Sequence, residues 1–290
     1  MAGRRDWRRS TMTGTTEALL SMTPASRVPR PGATEAAAIA RAELACFLEL
    51  ISELDPADLD RPTHCSLWSV RDVVAHQASH AQSGSGIRGF FAQLDPRLTR
   101  AYRRTGMSML DALNQAQVDR RKDQPFDAVV TELKHGAEAS IEARVRLHWL
   151  TRLLRAPVHP VGLMPLSTLL TEIFPRDMWI HRLDIADATG RPFRLDAEHN
   201  DAIIAGIVRD AAKHASKRLP GTAVELRLRG PRERTWSFGT GERMSFAMDV
   251  ADFARLASER ATPEQVLQAT ETDAPRDVAL RVLSVLIAPF

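Results

Sequence analysis

The chain has 290 residues, of which 44% are hydrophobic and 26% are charged, a composition typical of a globular protein. No apolar run approaches the roughly 18 residues that a membrane span needs, which excludes an integral membrane protein. Two cysteines are too few for a disulfide framework and favour the reducing cytoplasm.

The first 32 residues hold the positive charge of the chain. Six arginines stand here against Asp6 and Glu17, and the remainder of the sequence is close to neutral. Because this stretch is rich in Ser, Thr, Pro and Gly and shows no periodicity, residues 1–32 are predicted to be a disordered basic tail. A DNA-associated regulator is an alternative that rests on this tail alone, so no nucleic-acid partner is expected for the folded body.

A first amphipathic helix is predicted over 34–54, where apolar residues recur at three- and four-residue spacing. A second helix begins after Ser69, which can form a capping box with Asp72, while Trp68 can pack against Val73 as a hydrophobic staple. The start of this helix is therefore fixed by polar and apolar contacts at once.

Further helical patterns continue to residue 189. A loop is predicted over 156–166, and Pro175 predicts a kink or restart within the last of these helices. Gly190 provides its C-terminal stop. The predicted helices span 107–122, 126–155 and 166–189, so residues 33–195 are predicted to form a bundle of four or five helices.

The remainder, 196–290, is predicted to be a small α+β domain. A helical stripe runs over 203–215, and strict alternation at 222–229 is typical of a half-buried strand. Two more strands and three helical segments follow. The fold class is thus mainly α, a helical bundle followed by a small α+β domain.

Asp177 and His181 stand four residues apart and share one helix face, close enough to bind one ion. A third ligand must come from another helix, and His76 on the capped second helix is the best candidate. Three N/O ligands with an open fourth position are typical of a catalytic zinc site. His80 could pair with His76 instead, but it is interpreted as a polar residue on the helix surface.

Two segments, "RPTHCSLWSVRDVVAHQASH" and "RDMWIHRLDIADATGRP", resemble the mycothiol-dependent maleylpyruvate isomerase family. The resemblance implies a DinB-like four-helix metal-binding bundle over 33–195 and a sterol-carrier-like second domain over 196–290. The matching residues are Pro62, Thr63, Cys65, Trp68, Val70, Arg71, Asp72, His76, Asp177, His181, Arg182, Asp184 and Gly190.

The resemblance further implies Zn²⁺, or another divalent metal, held by His76, Asp177 and His181. It also implies mycothiol or a similar thiol, acting in isomerisation of a small electrophile or in transfer of the thiol to it. Family isomerases have Glu where this chain has Asp177. The Asp side chain is one methylene shorter than that of Glu. A metal must therefore lie nearer the helix that carries Asp177, or be bound less well.

Arg227, Arg229 and Arg234 are candidates for holding a substrate carboxylate in a bidentate grip, although solvated charges on a strand surface are the simpler interpretation. Cys65 is interpreted as a small packing residue between loop and helix. The rival function is a non-catalytic, metal-containing protein that binds a small apolar ligand or a protein partner.

Overall fold

The computed structural model describes residues 22–84, 96–158 and 162–290. These residues form two compact units. The helical unit comprises Arg30–Ile203 with Pro289–Phe290, and the sheet unit comprises the described residues up to Pro29 with Ile204–Ala288. Within the described residues, none of the helices has the length and apolar character needed to cross a membrane.

The helical unit confirms the predicted run of amphipathic helices and makes the chain mainly helical. Its helices are α1 (Ala33–Ser52), α2 (Val70–Gly84), α3 (Pro96–Arg103), α4 (Met109–Asp119), α5 (Phe126–Thr151) and α6 (Phe174–Thr189).

The core of this unit lies between α1, α2 and α5. Phe47 of α1, Val73 of α2 and Leu133 of α5 are fully buried in one apolar cluster, which Ile185 of α6 joins. Burying such side chains contributes roughly 1.5–3 kcal/mol each relative to exposure. Trp68 packs against the same cluster, as the predicted staple requires.

The segment before α6 differs from a simple helix. A three-residue helical turn, Leu166–Thr168, leads into a π-helical stretch, Leu169–Ile173, and Pro175 occupies the first turn of α6. The predicted restart at Pro175 is therefore confirmed. At the other end of α6, Gly190 has φ of 70°, the left-handed conformation that glycine adopts without a steric penalty.

The stretch predicted as a loop over 156–166 is a hairpin instead. Strands β2 (Arg155–Val158) and β3 (Gly162–Pro165) pair in antiparallel fashion. The sequence did not predict this pairing because Pro157 and Pro165 favour a loop. Proline lacks the N–H that donates to a neighbouring strand.

The sheet unit contains the predicted strands and helices. Strand β4 (Thr222–Arg229) pairs antiparallel with β5 (Arg234–Gly239) and parallel with β6 (Glu242–Asp249). Strands β1 (Thr23–Pro24) and β7 (Glu271–Thr272) lie at the edges, so the order in the sheet is β1-β5-β4-β6-β7. One face is buried: Leu226 of β4 stands opposite Trp236 of β5 and Phe246 of β6. Helix α7 (His199–Ser216) begins in the helical unit, and its residues from Ile204 onward belong to the sheet unit. The other helices of the sheet unit are α8 (Val250–Ala257), α9 (Pro263–Leu267) and α10 (Arg276–Leu283).

The prediction of a disordered tail up to residue 32 is wrong at its C-terminal end. Strand β1 (Thr23–Pro24) pairs in parallel with β5, through Thr23 opposite Trp236, and a 3₁₀ turn, Ala25–Arg27, follows. A two-residue strand is too short for a periodic pattern, so the sequence carried no signal for it. Residues 1–21 lie outside the described part of the chain.

A buried ion pair connects the first and last helices of the helical unit. Glu43 of α1 is fully buried and accepts hydrogen bonds from Nε and Nη2 of Arg182 at 2.7 and 3.0 Å. Nε2 of His199 lies 2.9 Å from the same carboxylate. Arg182 directly follows His181 on α6, so this pair fixes how α6 is rotated about its axis.

Replacing Glu43 should therefore destabilise the helical unit strongly. We expect Glu43→Ala to lower the free energy of unfolding by about 3–5 kcal/mol, because it leaves the arginine buried without its partner. Urea denaturation followed by circular dichroism at 222 nm measures the loss. Glu138→Ala, which removes an exposed pair with Arg41, is the matched control and should change little. Equal losses in the two variants would contradict this account.

Candidate metal centre

Helix α2 carries the first two imidazoles of the centre. The predicted capping box forms at its start: the Ser69 backbone N–H donates to Asp72 Oδ2 at 2.9 Å, and the Asp72 N–H donates to Ser69 Oγ at 3.4 Å. His76 lies two turns later and is buried. His80 follows one turn further on, with its ring centroid 4.1 Å from that of His76.

Helix α6 carries the carboxylate and the third imidazole. Asp177 and His181 share one face, and Oδ1 of Asp177 is 3.6 Å from Nε2 of His181. The Pro175 turn begins the helix just before Asp177, so the backbone there has the fixed φ of a first helical turn.

The two helices bring these side chains together around Asp177. Oδ2 of Asp177 is 3.5 Å from Nε2 of His76 and 3.5 Å from Nδ1 of His80. The rings of His76 and His181 are 5.1 Å apart between centroids. His76 and His181 thus both face Asp177, but the group of mutually close ligand atoms that contains Asp177 is His76, His80 and Asp177 rather than the predicted set. The interpretation of His80 as a helix-surface residue is wrong. At i+4 from His76 it faces the same carboxylate.

The separations are longer than direct hydrogen bonds and are compatible with ligand atoms around one cation. N–H···O bonds in proteins are 2.7–3.2 Å long, whereas these nitrogens stand 3.5–3.6 Å from the carboxylate oxygens. Ligand atoms at 2.0–2.1 Å from a tetrahedral zinc are about 3.4 Å apart. Within the described residues, His76, His80 and Asp177 offer ligand atoms that all lie within 4.8 Å of one another.

Burial and mutual charge set the protonation of the cluster. Burial lowers the pKa of His76 to about 3, so its imidazole is neutral, as a metal ligand must be. Burial disfavours the charge of Asp177, but the imidazoles around it outweigh this effect and hold its pKa well below the ordinary value. Burial also opposes the charge of His181, yet Asp177 and Asp184 raise its pKa to about 10. Without a metal, the cluster therefore offers an ionised carboxylate at Asp177 and a neutral imidazole at His76. His181 carries a proton in that state, which a bound cation would have to displace.

Asp184 orients His181. Its Oδ2 lies 2.8 Å from Nδ1 of His181, which leaves Nε2 facing Asp177. A carboxylate on the far nitrogen of a ligand imidazole is the usual arrangement in zinc proteins. Sγ of Cys65 is 3.8 Å from the same Asp184 oxygen, and Cys65, His181 and Asp184 form a second group of possible ligand atoms.

The predicted arginines lie in the sheet unit. Arg229 donates to Asp249 at 3.1 Å and to Glu271 at 2.6 Å, and Arg227 is 3.6 Å from Glu271. Arg234 is exposed at the start of β5. The carboxylates of the unit itself thus occupy Arg229, which favours the simpler interpretation of a solvated strand surface for that residue.

Sequence reasoning missed Gln77 as a partner of the centre. Its Nε2 donates to Oδ2 of Asp177 at 2.7 Å, the shortest contact that this carboxylate makes among the described residues. Its position directly after His76 gave no signal, since neighbouring helix residues normally face different directions.

Removing the carboxylate behind His181 should weaken metal binding at Asp177 and His181, because Asp184 then no longer orients the imidazole. We expect Asp184→Asn to lower the affinity for Zn²⁺ by about 10- to 100-fold. Competition titration against a chromophoric chelator measures it. Asp187→Asn is the matched control. Asp187 lies on the same helix as Asp184 but outside the cluster, where it pairs with His64. A loss of affinity confined to the control would contradict the role given to Asp184.

Comparisons with known proteins identify the family and the fold. The family model described as the mycothiol maleylpyruvate isomerase N-terminal domain matches residues 40–186. Crystal structures of the mycothiol-dependent maleylpyruvate isomerase and of its histidine-to-alanine variant are each 17% identical to this chain. Each gives a TM-score of 0.53 and covers 88% of this chain and 98% of the other, which shows a shared fold. No curated protein matches in sequence. The family model spans half of this chain. The chain therefore belongs to the mycothiol maleylpyruvate isomerase N-terminal domain family.

Proposed function

We propose that the protein is a zinc-dependent enzyme that uses a low-molecular-weight thiol, mycothiol or a close analogue, to isomerise a small electrophile or to transfer the thiol to it. The observation that carries this proposal is the ring of three imidazole nitrogens at 3.5–3.6 Å around the Asp177 carboxylate. Family membership supplies the thiol, since the solved relatives are named as mycothiol-dependent.

We propose His76, Asp177 and His181 as the metal ligands. The shorter side chain of Asp177 is compatible with this set, because its two oxygens already face His76 and His181 from one position. The donors are two nitrogens and one oxygen, a combination that zinc accepts with a fourth position left open. His80 lies on the same carboxylate and is the alternative third ligand.

The protein residues around the ligands keep the site rigid and shielded from water. The indole of Trp68 lies against the rings of His76 and His181, at centroid distances of 4.7 and 5.9 Å. Its Nε1 donates to Gln115 at 3.0 Å, so the indole is itself held in place. Such support from packed neighbours preserves the ligand directions that a catalytic site requires.

When bound, zinc supplies a Lewis acid that keeps a coordinated thiol deprotonated, and the thiolate is the nucleophile. The new carbon–sulfur bond forms at an electrophilic double-bond carbon, whose electron pair moves onto the activating group of the substrate. Rotation and loss of the same thiolate return the double bond as its other isomer. Retention of the carbon–sulfur bond, with protonation of the neighbouring carbon, gives transfer.

The sheet unit enters the proposal in two ways. We propose that it corresponds to the sterol-carrier-like domain expected from the family resemblance, since it contains a helix-flanked mixed sheet. A role of Arg227, Arg229 and Arg234 in binding a substrate carboxylate stays a prediction, and the ion pairs of Arg229 do not favour it.

The ligand set is tested by three single variants. We expect His76→Ala and His181→Ala each to lower the affinity for Zn²⁺ by more than about 100-fold, since losing even a supporting partner costs 10- to 100-fold. Inductively coupled plasma mass spectrometry of protein purified without chelator measures the bound metal. His80→Ala should retain it. Retention in His181→Ala with loss in His80→Ala would move the site to His76, His80 and Asp177.

Turnover separates the enzyme from the rival binding protein. We expect the zinc-loaded protein to isomerise maleylpyruvate only when mycothiol is present, and His76→Ala to lose at least about a thousandfold in rate, the scale of losing the activation of a nucleophile. Loss of substrate absorbance follows the reaction. A zinc-loaded protein that binds mycothiol but converts neither maleylpyruvate nor other electrophiles would favour the non-catalytic function.

A further inference from the structure

Helix α5 presents an unusual column of polar side chains. Ser140, Arg144 and His148 follow one another at intervals of four, which places them on one helix face. Each has a buried polar atom without a hydrogen-bond partner among the described residues, namely Oγ, Nε and Nδ1 respectively. Buried polar groups in proteins are nearly always paired, so three in one column indicate a ligand or bound water.

Arg144 is the charged member of this column. Within the described residues it forms no ion pair, and its guanidinium stacks on the ring of Phe174, 4.5 Å from the centroid. Burial lowers the pKa of Arg144 to about 10, so it is still a cation at neutral pH. Asp177 attracts this cation but forms no ion pair with it. A buried cation without a close anionic partner is costly, and an incoming anion would lower that cost.

A small cleft joins Arg144 to the metal centre. Gln77, His80, Phe174 and Arg144 line it together with apolar side chains, and its volume is about 30 Å³. Two of these residues, Gln77 and His80, contact Asp177 directly. The ring of His80 is 5.1 Å from that of Phe174, the ring on which Arg144 stacks. Such a volume holds one or two waters, and so suits a single carboxylate group.

From this arrangement we infer that Arg144 is the residue that binds the carboxylate of the substrate, in the cleft beside the metal centre. The planar guanidinium can donate two parallel hydrogen bonds to a carboxylate, a geometry that an ammonium group does not offer. The inference rests on the proposed function, in which a small electrophile meets a thiolate at His76, Asp177 and His181.

Binding of the substrate carboxylate by Arg144 would also orient the rest of the substrate. With one end of the substrate held at Arg144, the carbon next to that carboxylate lies toward His80 and the metal centre. Holding the reacting atoms in this way converts an encounter in solution into a reaction between fixed partners. The same contact would favour unsaturated acids over their neutral analogues.

Binding of fumarate to the zinc-loaded protein tests the inference without turnover. We expect calorimetry to show that fumarate binds more tightly than the neutral fumaramide, by about 10- to 100-fold, the scale of hydrogen bonds to a charged group. This comparison uses the unaltered protein, so it does not depend on how any variant folds. Equal binding of the two probes, or no fumarate binding, would overturn the inference.

Variants then assign the contact to one residue. Arg144→Met should weaken fumarate binding by at least about tenfold, whereas Arg144→Lys, which keeps the charge, should lose less. Arg146→Met is the matched control on the same helix, because Arg146 is exposed, and it should bind as the parent does. Fumarate binding by Arg144→Met at the parent affinity would overturn the assignment.

Metal content and thiol binding, measured on the same samples, keep the two proposals apart. Zinc retained in Arg144→Met with fumarate affinity lost supports the inference independently of catalysis. Fumarate binding that depends on Arg144 in a protein without thiol-dependent turnover would refute the proposed reaction while leaving the carboxylate site in place.

Discussion

The burial of one carboxylate, that of Asp177, is the constraint on which the helical unit depends. A charge taken out of water must be compensated by opposite charge and hydrogen bonds. Here the Gln77 amide of α2 donates a hydrogen bond of 2.7 Å, and the charged His181 of α6 supplies opposite charge. These two helices are distant in sequence. Because α2 and α6 must both deliver side chains to one point, the capping box of α2 and the Glu43–Arg182 pair of α6 serve the site as well as the fold.

Much of this could be predicted from the sequence, because the relevant signals are local. Apolar periodicity located α1 and the three main strands, and Ser69 and Asp72 located the start of α2. Spacing along one helix paired Asp177 with His181. The partnership with His76 needed the family resemblance as well, since nothing in a spacing says which two helices of a bundle lie side by side.

The remaining features depend on contacts that local patterns do not encode. His80 has the spacing of a ligand, but equally that of a surface residue, and only the position of α6 distinguishes them. Arg144 lies in a helix whose charges are mostly solvent-exposed, so nothing in the sequence indicated that its Nε is buried. Strand β1 is stabilised by β5, which lies far along the chain. The prolines in β2 and β3 hid the pairing of these two neighbouring strands.

The π-helical stretch Leu169–Ile173 has a consequence for how this family is compared and altered. A wide turn of this kind holds one residue more than an α-helical turn, which rotates everything beyond it by about 100° around the axis. Deleting one residue there would remove none of the candidate ligands. It would, however, rotate the segment before the deletion away from its present neighbours. An alignment that places a gap in this stretch therefore changes which upstream side chains share a face with Asp177.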